Sequence, residues 1–296
     1  MQKLLCLFLG CTREELWTDM ERQLDDEVVQ KVISAYDDYV VKKKPLEYIL
    51  GYVEFFGNKF LVNETTLIPR PETEYMINSV TEFISGKVEK LKGGKVGNNL
   101  LLDIGTGCGV LGMSVLLQNP NFFANVICTD YFADALEVAK KNYELLITNG
   151  LKLKAQSLKK VEFIQSDLLN FLFQAPYNSE LLTINSELIL VANLPYIPEE
   201  TFKANVADNV KKWEPKPAFV GGDDGLYYYR IMLDQILQLR VTSNEGCIID
   251  KMALVCFLEM MTRQVDVLRQ EFDQYFEFEE VKTFHFNIRI VKVYLK

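Results

Sequence analysis

Apolar residues recur at helical spacing through Leu16, Met20, Leu24, Val28, Val32 and Ala35, so residues 1–44 are predicted to be helices. The segment is too small to hold a core alone and is expected to lean on the residues C-terminal to it. Thr12-Arg-Glu-Glu15 has the form of a capping box. The apolar start MQKLLCLFLGC therefore reads as a packed helix, not as a secretion signal. Residues 46–69, LEYILGYVEFFGNKFLVNETTLIP, alternate and carry Gly-Asn and Asn-Glu turn signals, which predicts a β-hairpin. PRPETE (69–74) opens a helix, with Pro71 where its missing N–H costs little. Residues 86–99 are rich in Gly and Lys and predict a loop.

From residue 100 the pattern changes. LLLDIG, NVICTD, VEFIQSD, ELILVAN and MALVCFLEM read as buried strands. VLGMSVLLQ, DALEVAKKNYELLI, GLYYYRIMLDQILQL and TRQVDVLRQEF read as helices. FEFEEVKTF and NIRIVKVYL close the chain as antiparallel strands. This alternation predicts an α/β fold, a doubly wound, mainly parallel sheet with helices on both faces. Ligands in such sheets sit beyond the carboxyl ends of the strands. That rule gathers Asp103–Gly109, Asp130, Asp167 and Asn193–Tyr196 on one rim.

Composition narrows the partners. With 49% hydrophobic and 25% charged residues the chain has the balance of a soluble globular protein. Its formal charge of −9 disfavours direct nucleic-acid binding. Lys42–Lys44 and the lysines of 152–160 read as solvated surface. Six cysteines at 6, 11, 108, 128, 247 and 256 form no C-x-x-C pair and read as free buried thiols of a reducing compartment, with no metal site. The single histidine, His285, reads as an ordinary strand residue. No stretch approaches a membrane span.

DIGTGCG holds Gly105, Gly107 and Gly109 between a strand and a helix, with Thr106 and Cys108 between them. The spacing is G-x-G-x-G, not the G-x-G-x-x-G of dinucleotide sites. A glycine turn alone specifies no ligand. Asp130, ending the next strand, suits two ribose hydroxyls, and Asp167 suits an adenine amine; each has an alternative as a helix cap. Together they favour a nucleoside ligand without a required phosphate, which S-adenosylmethionine satisfies.

ELILVAN runs into Leu194-Pro195-Tyr196. An amide nitrogen is a poor nucleophile, because its lone pair is delocalised. Two acceptors that hold its N–H groups would aim that nitrogen at an electrophilic methyl. Asn193 offers a side-chain oxygen and Leu194 a carbonyl whose direction Pro195 restricts. Tyr196 offers a flat face for stacking. Orientation then does most of the work. The motif fits a planar N–H₂ target, whether carboxamide, adenine or cytosine.

With these residues in view, the chain resembles the protein-(glutamine-N5) methyltransferases that modify peptide-chain release factors. PLEYILGYVEFFGNKFLVNETTLIPRPETE (45–74), LLDIGTGCGVLGMSV (101–115), TDYFADALEVAKKN (129–142), ANLPYIPEE (192–200), WEPKPAFVGGDDGLYYYR (213–230) and FLEMMTRQ (257–264) carry the resemblance. It implies a helical substrate-docking domain over 1–45, a β-hairpin linker over 46–70 and a seven-stranded class I methyltransferase domain over 71–296. It also implies cofactor contacts from Asp103, Gly105, Thr106, Gly107, Cys108, Gly109, Asp130, Asp167, Leu168 and Asn193. Asn193, Leu194, Pro195 and Tyr196 would hold the glutamine amide, and Arg70, Pro71, Thr73 and Glu74 would form the nearby wall. The expected enzyme is a cytoplasmic, monomeric protein methyltransferase acting in translation termination, with a release factor as partner. Two departures stand out: the helical segment is short at its start, and Leu194 replaces the family's Pro. Asn-Leu-Pro-Tyr is also the form found in ribosomal RNA adenine dimethyltransferases. Methylation of a base amine in RNA or DNA is therefore the alternative, with a non-catalytic release-factor-binding paralogue as a third reading.

Overall fold

The computed structural model describes residues 2–19, 21–90, 99–148, 160–174, 177, 187–241, 253–281 and 288–296. Met20, residues 91–98 of the expected loop, Lys152, Lys154, Lys159, Cys247 and His285 lie outside the described residues.

Three helices open the chain, α1 (Gln2–Leu9), α2 (Arg13–Thr18) and α3 (Asp26–Val40). The capping box closes at the start of α2: Glu15 N–H donates to Thr12 Oγ1 (3.1 Å) and Thr12 N–H to Glu15 Oε2 (2.8 Å). The periodicity expected to run on from Leu16 is broken between α2 and α3. Asp26 and Glu27 then sit in the first turn of α3, where the helix dipole favours acids.

The expected hairpin begins later than its alternation suggests, because Leu46–Leu50 is a helix, α4. A five-residue apolar run fits both periods, and packing decides between them. Leu46, Ile49 and Leu50 fall at helical spacing and meet Leu4 and Ala35 in a small cluster. Gly51, at φ +76, ends α4 in the left-handed conformation that glycine adopts without penalty. The hairpin is then β1 (Tyr52–Phe55) and β2 (Asn58–Leu61). Its two-residue turn, Phe56-Gly57, has positive φ at both positions, which matches the twist of the strands.

Pro71–Thr73 is one 3₁₀ turn that feeds α5 (Glu74–Lys90). The wound sheet comes next: β3 (Asn99–Ile104), α6 (Val110–Gln118), β4 (Phe123–Asp130), α7 (Ala133–Thr148), β5 (Lys160–Gln165) and β6 (Glu187–Ala192). Two short helices, α8 (Glu199–Asn205) and α9 (Asp208–Trp213), precede α10 (Tyr227–Val241), β7 (Ala253–Met261), α11 (Thr262–Phe272), β8 (Phe276–Val281) and β9 (Ile288–Leu295).

The sheet runs β5-β4-β3-β6-β7-β9-β8. Its first five strands are parallel, and β9 is antiparallel to both neighbours, as the alternating C-terminal strands imply. Successive residues of β3 feed opposite faces: Leu100, Leu102 and Ile104 pack under α10, while Leu101 packs under α5 and α6. The chain winds outward in both directions from β3 and β6, which are neighbours with Ile104 opposite Ala192. That is the switch point where such sheets open a crevice.

The hairpin is fastened to this sheet by Asn142 of α7. Its Nδ2 donates to Leu61 O (3.0 Å) and Cys108 O (2.8 Å), and its Oδ1 accepts from Leu61 N–H (2.6 Å). One buried amide thus joins β2, α7 and the glycine turn. Cys108, Cys128 and Cys256 are free and buried, whereas Cys6 and Cys11 are only half-buried, because the small N-terminal cluster cannot enclose them.

Candidate active site

A cavity of about 540 Å³ opens over the switch point, within the range of small-molecule sites. The glycine turn forms its floor. Asp103 is buried, and its Oδ2 accepts from the Thr106 hydroxyl (2.6 Å) and Gly112 N–H (2.8 Å). Burial pushes this carboxyl up to about 6, against the pull of those two donors. Asp103 therefore organises the turn. A Cβ on Gly112 would stand 2.7 Å from its Oδ2, so α6 can begin on the carboxylate only with glycine there.

Gly105 and Gly107 have positive φ and line the cavity. A Cβ on Gly105 would come within 2.9 Å of Leu194 Cδ2, so the turn and the loop after β6 are in close contact. Gly109 is not part of the cavity wall; a Cβ there would meet Met113 and Ala139, which makes it a packing glycine between α6 and α7.

Asp130 ends β4. Its Oδ2 accepts from Gly107 N–H (2.9 Å) and its Oδ1 from Phe132 N–H (2.9 Å). Burial raises its pKa while these bonds lower it. Each carboxylate oxygen keeps a second lone pair, enough for a diol. Asp167 and Leu168 complete this side. Leu168 has φ +51, a strained conformation for a bulky residue, and strain of this kind gathers at functional sites. Leu169 N–H donates to Gln235 Oε1 (3.0 Å), which holds the turn to α10.

Asn193, Leu194 and Pro195 face the same cavity, as do Arg70 and Thr73. Tyr196, Pro71 and Glu74 do not line it. The Tyr196 hydroxyl donates to Glu259 Oε1 (3.1 Å), its carbonyl accepts from Gln264 Nε2 (2.7 Å), and its ring packs against the core. Glu74 accepts from Phe56 N–H (3.0 Å) and so anchors the hairpin turn.

The 215–225 segment holds the Asn-Leu-Pro-Tyr loop in place. Ile197 N–H donates to Phe219 O (2.8 Å), and Gly221 N–H to Ile197 O (3.0 Å). A Cβ on Gly221 would overlap the Pro195 carbonyl, and one on Gly225 the Tyr196 carbonyl. Glu214, also buried, accepts from Arg70 Nη2 (2.6 Å) and Ile68 N–H (3.2 Å), tying the Arg70 wall to the same segment.

Sequence reasoning missed the cavity's aromatic side. Phe132, Tyr227 and Tyr228 line it with Ile231. Its signal was present in the exposed Tyr131-Phe132 pair after Asp130 and in the run Tyr227–Tyr229. Glu259 was missed as well.

Comparison with known proteins agrees with this geometry. A family profile described as lysine methyltransferase matches residues 75–204, from α5 into α8. The release factor glutamine methyltransferase of Bacillus cereus is 34% identical over 234 residues, covering 78% of this chain and 72% of that protein. That of Bacillus anthracis is 32% identical over 237 residues, with the same shares. Among solved structures, the N-terminal domain of human METTL16 in complex with SAH aligns with a TM-score of 0.51 at 17% identity, covering 91% of this chain and 82% of that one. This likeness bears on the fold alone, and it bears out the seven-stranded methyltransferase sheet. Among the described residues no helix is long and apolar enough to cross a membrane. The chain is an S-adenosylmethionine-dependent methyltransferase and belongs to the release factor glutamine methyltransferase family.

Proposed function

We propose that this chain methylates the side-chain amide nitrogen, N5, of the glutamine in the Gly-Gly-Gln loop of peptide-chain release factors. The names of its relatives point to that substrate. The observation that carries the reading is one shared cavity: the glycine turn with Asp130 and Asp167 on one side, Asn193, Leu194 and Pro195 on the other. The donor set fits S-adenosylmethionine, with side-chain-free approach at Gly105 and Gly107 and spare lone pairs on Asp130.

The bound cofactor supplies an electrophilic methyl group on a sulfonium. The chain's own residues orient the target. In this reading Asp130 accepts the ribose hydroxyls and Asp167 an adenine N–H. Asn193 Oδ1 and the Leu194 carbonyl each accept one N–H of the glutamine amide, which turns its nitrogen towards the methyl group. Closely packed orientation of this kind lowers a barrier without a strong base. Arg70 and Thr73 form the wall beside the entering side chain, with Pro71 and Glu74 supporting it from outside the cavity. The reading takes the enzyme as a cytoplasmic monomer with a protein, not a nucleic acid, as its partner; its net charge of −9 supports the second point.

The test is transfer of labelled methyl from S-adenosylmethionine to a release factor, to the same factor with its Gly-Gly-Gln glutamine changed to alanine, and to ribosomal RNA. Label in the first alone is expected. Equal label in both proteins, or label in the RNA only, overturns the reading.

A further inference from the structure

Glu259 lies near the carboxyl end of β7, buried to 1% exposure, with no basic side chain holding its charge among the described residues. A lone buried carboxylate is costly, so its surroundings need an explanation. Its Oε1 accepts from the Tyr196 hydroxyl (3.1 Å), while Oε2 takes no hydrogen bond of normal geometry. The Thr73 hydroxyl and the Asn193 carboxamide stand near enough to favour its charged form. Asn193 Nδ2 in turn donates to Thr73 Oγ1 (3.1 Å).

The direction of these bonds is set by chemistry. An ionised carboxylate only accepts, and a threonine hydroxyl has one hydrogen to give. If that hydrogen goes to Glu259, the lone pairs of Thr73 must be met by a donor. Asn193 can supply one only with its N–H₂ end turned to Thr73. Its oxygen then points the other way, into the cavity that both residues line. An apolar side chain at 259 would leave the hydroxyl free to rotate and the carboxamide free to flip, and a flipped Asn193 would meet the target amide donor to donor.

We propose that Glu259 is a positioning residue which, through the Thr73 hydroxyl, locks the Asn193 carboxamide with its oxygen facing the cavity. This rests on the reading of Asn193 as an acceptor for the target amide. Burial pushes the Glu259 carboxyl up to about 7, helped by the nearby acid Glu72 and opposed by the donors Thr73, Tyr196 and Asn193. The Tyr229 hydroxyl lies against its backbone carbonyl and stays neutral, since burial raises its pKa well above the ordinary range. The relay can therefore be watched as Glu259 ionises.

The experiment has two arms. In ¹⁵N-labelled protein, the Asn193 side-chain amide signal is assigned by its loss in Asn193→Ala and followed across pH. It is expected to titrate with Glu259 in the native chain and to stay flat in Glu259→Gln and in Thr73→Val. A flat native signal, or one that still titrates in Thr73→Val, overturns the relay. In the second arm, Glu259→Gln and Thr73→Val are each expected to lower kcat about tenfold or more, with KM for S-adenosylmethionine within about twofold. The double variant should lose no more than the worse single one, because the two act as one unit. Additive losses, or a kcat within about twofold of native in Thr73→Val, also overturn the relay. If the native chain labels no release factor, the proposed function fails, and the resonance arm still decides the relay.

Discussion

Replacing Glu259 by Gln should change how stability depends on pH, in a direction the structure fixes. Burial moves this carboxyl from its ordinary 4.5 to about 7. At about 1.4 kcal/mol per tenfold change in proton affinity, ionising it inside the fold costs about 3 kcal/mol. Below the unfolded value both states hold the proton and nothing is lost. As pH rises from there to the folded value, the unfolded chain releases its proton first, and the folded state falls behind. Glutamine has no proton to release. The native protein should therefore lose stability relative to Glu259→Gln as pH rises, by about 2 kcal/mol between about pH 5.5 and 8.5. Asp103, pushed up to about 6 by its own burial, slopes both proteins equally and drops out of the difference. Urea unfolding of the two proteins at a series of pH values measures it. Parallel curves would refute the argument, because they would mean that the carboxyl is either hydrated or already ionised at low pH.

Three further outcomes are expected from the same geometry. Asn193→Ala should lower kcat by about 10²–10³ while leaving the calorimetric affinity for S-adenosylmethionine within about threefold, since it removes an acceptor for the target amide alone. Gly225→Ala combines a positive φ (+79) with overlap of the Tyr196 carbonyl, so it should destabilise the fold by about 1–3 kcal/mol on thermal melting and cut kcat as the loop shifts. Gly112→Ala should weaken S-adenosylmethionine binding in calorimetry, because the new Cβ displaces the Asp103 carboxylate that holds Thr106.

Much of this protein is legible from residue order because its strands are long and its turns chemically marked. DIGTGCG, between a buried strand and a helix, declares the glycine turn, and Thr12 with Glu15 declares the start of α2. Leu46–Leu50 misleads because its apolar residues fit a strand or a helix equally, and only Leu4 and Ala35, distant in sequence, choose between them. α8 and α9, at seven and six residues, are too short for periodicity to register. Among site residues, Asp130 and Asn193 stand at strand ends, where an acid or amide interrupts an apolar run. Gly109 and Glu74 sit in equally suggestive motifs, yet one packs helices and the other anchors a hairpin turn. Motif membership does not separate a wall residue from the residue that supports the wall; partners do. Glu259, a lone acid within nine residues of buried strand, was the signal left unread.

Leu194 illustrates how partners outweigh the motif. A proline at this position would stiffen the loop covalently and bring no N–H. Leucine adds an N–H in a buried place, 3% exposed, which must be satisfied. It donates to the Tyr229 hydroxyl (3.2 Å), whose own hydrogen goes to the Glu259 carbonyl. The leucine side chain closes against Gly105, where no Cβ intervenes. One tyrosine thus ties Leu194 to the same residue that holds Tyr196 and, through Thr73, Asn193. The Leu194 carbonyl lies 3.4 Å from that hydroxyl, but a hydroxyl has a single hydrogen and the closer Glu259 carbonyl takes it. The Leu194 oxygen is left free to accept from a target amide, so the leucine gives up the stiffness of proline without giving up the acceptor.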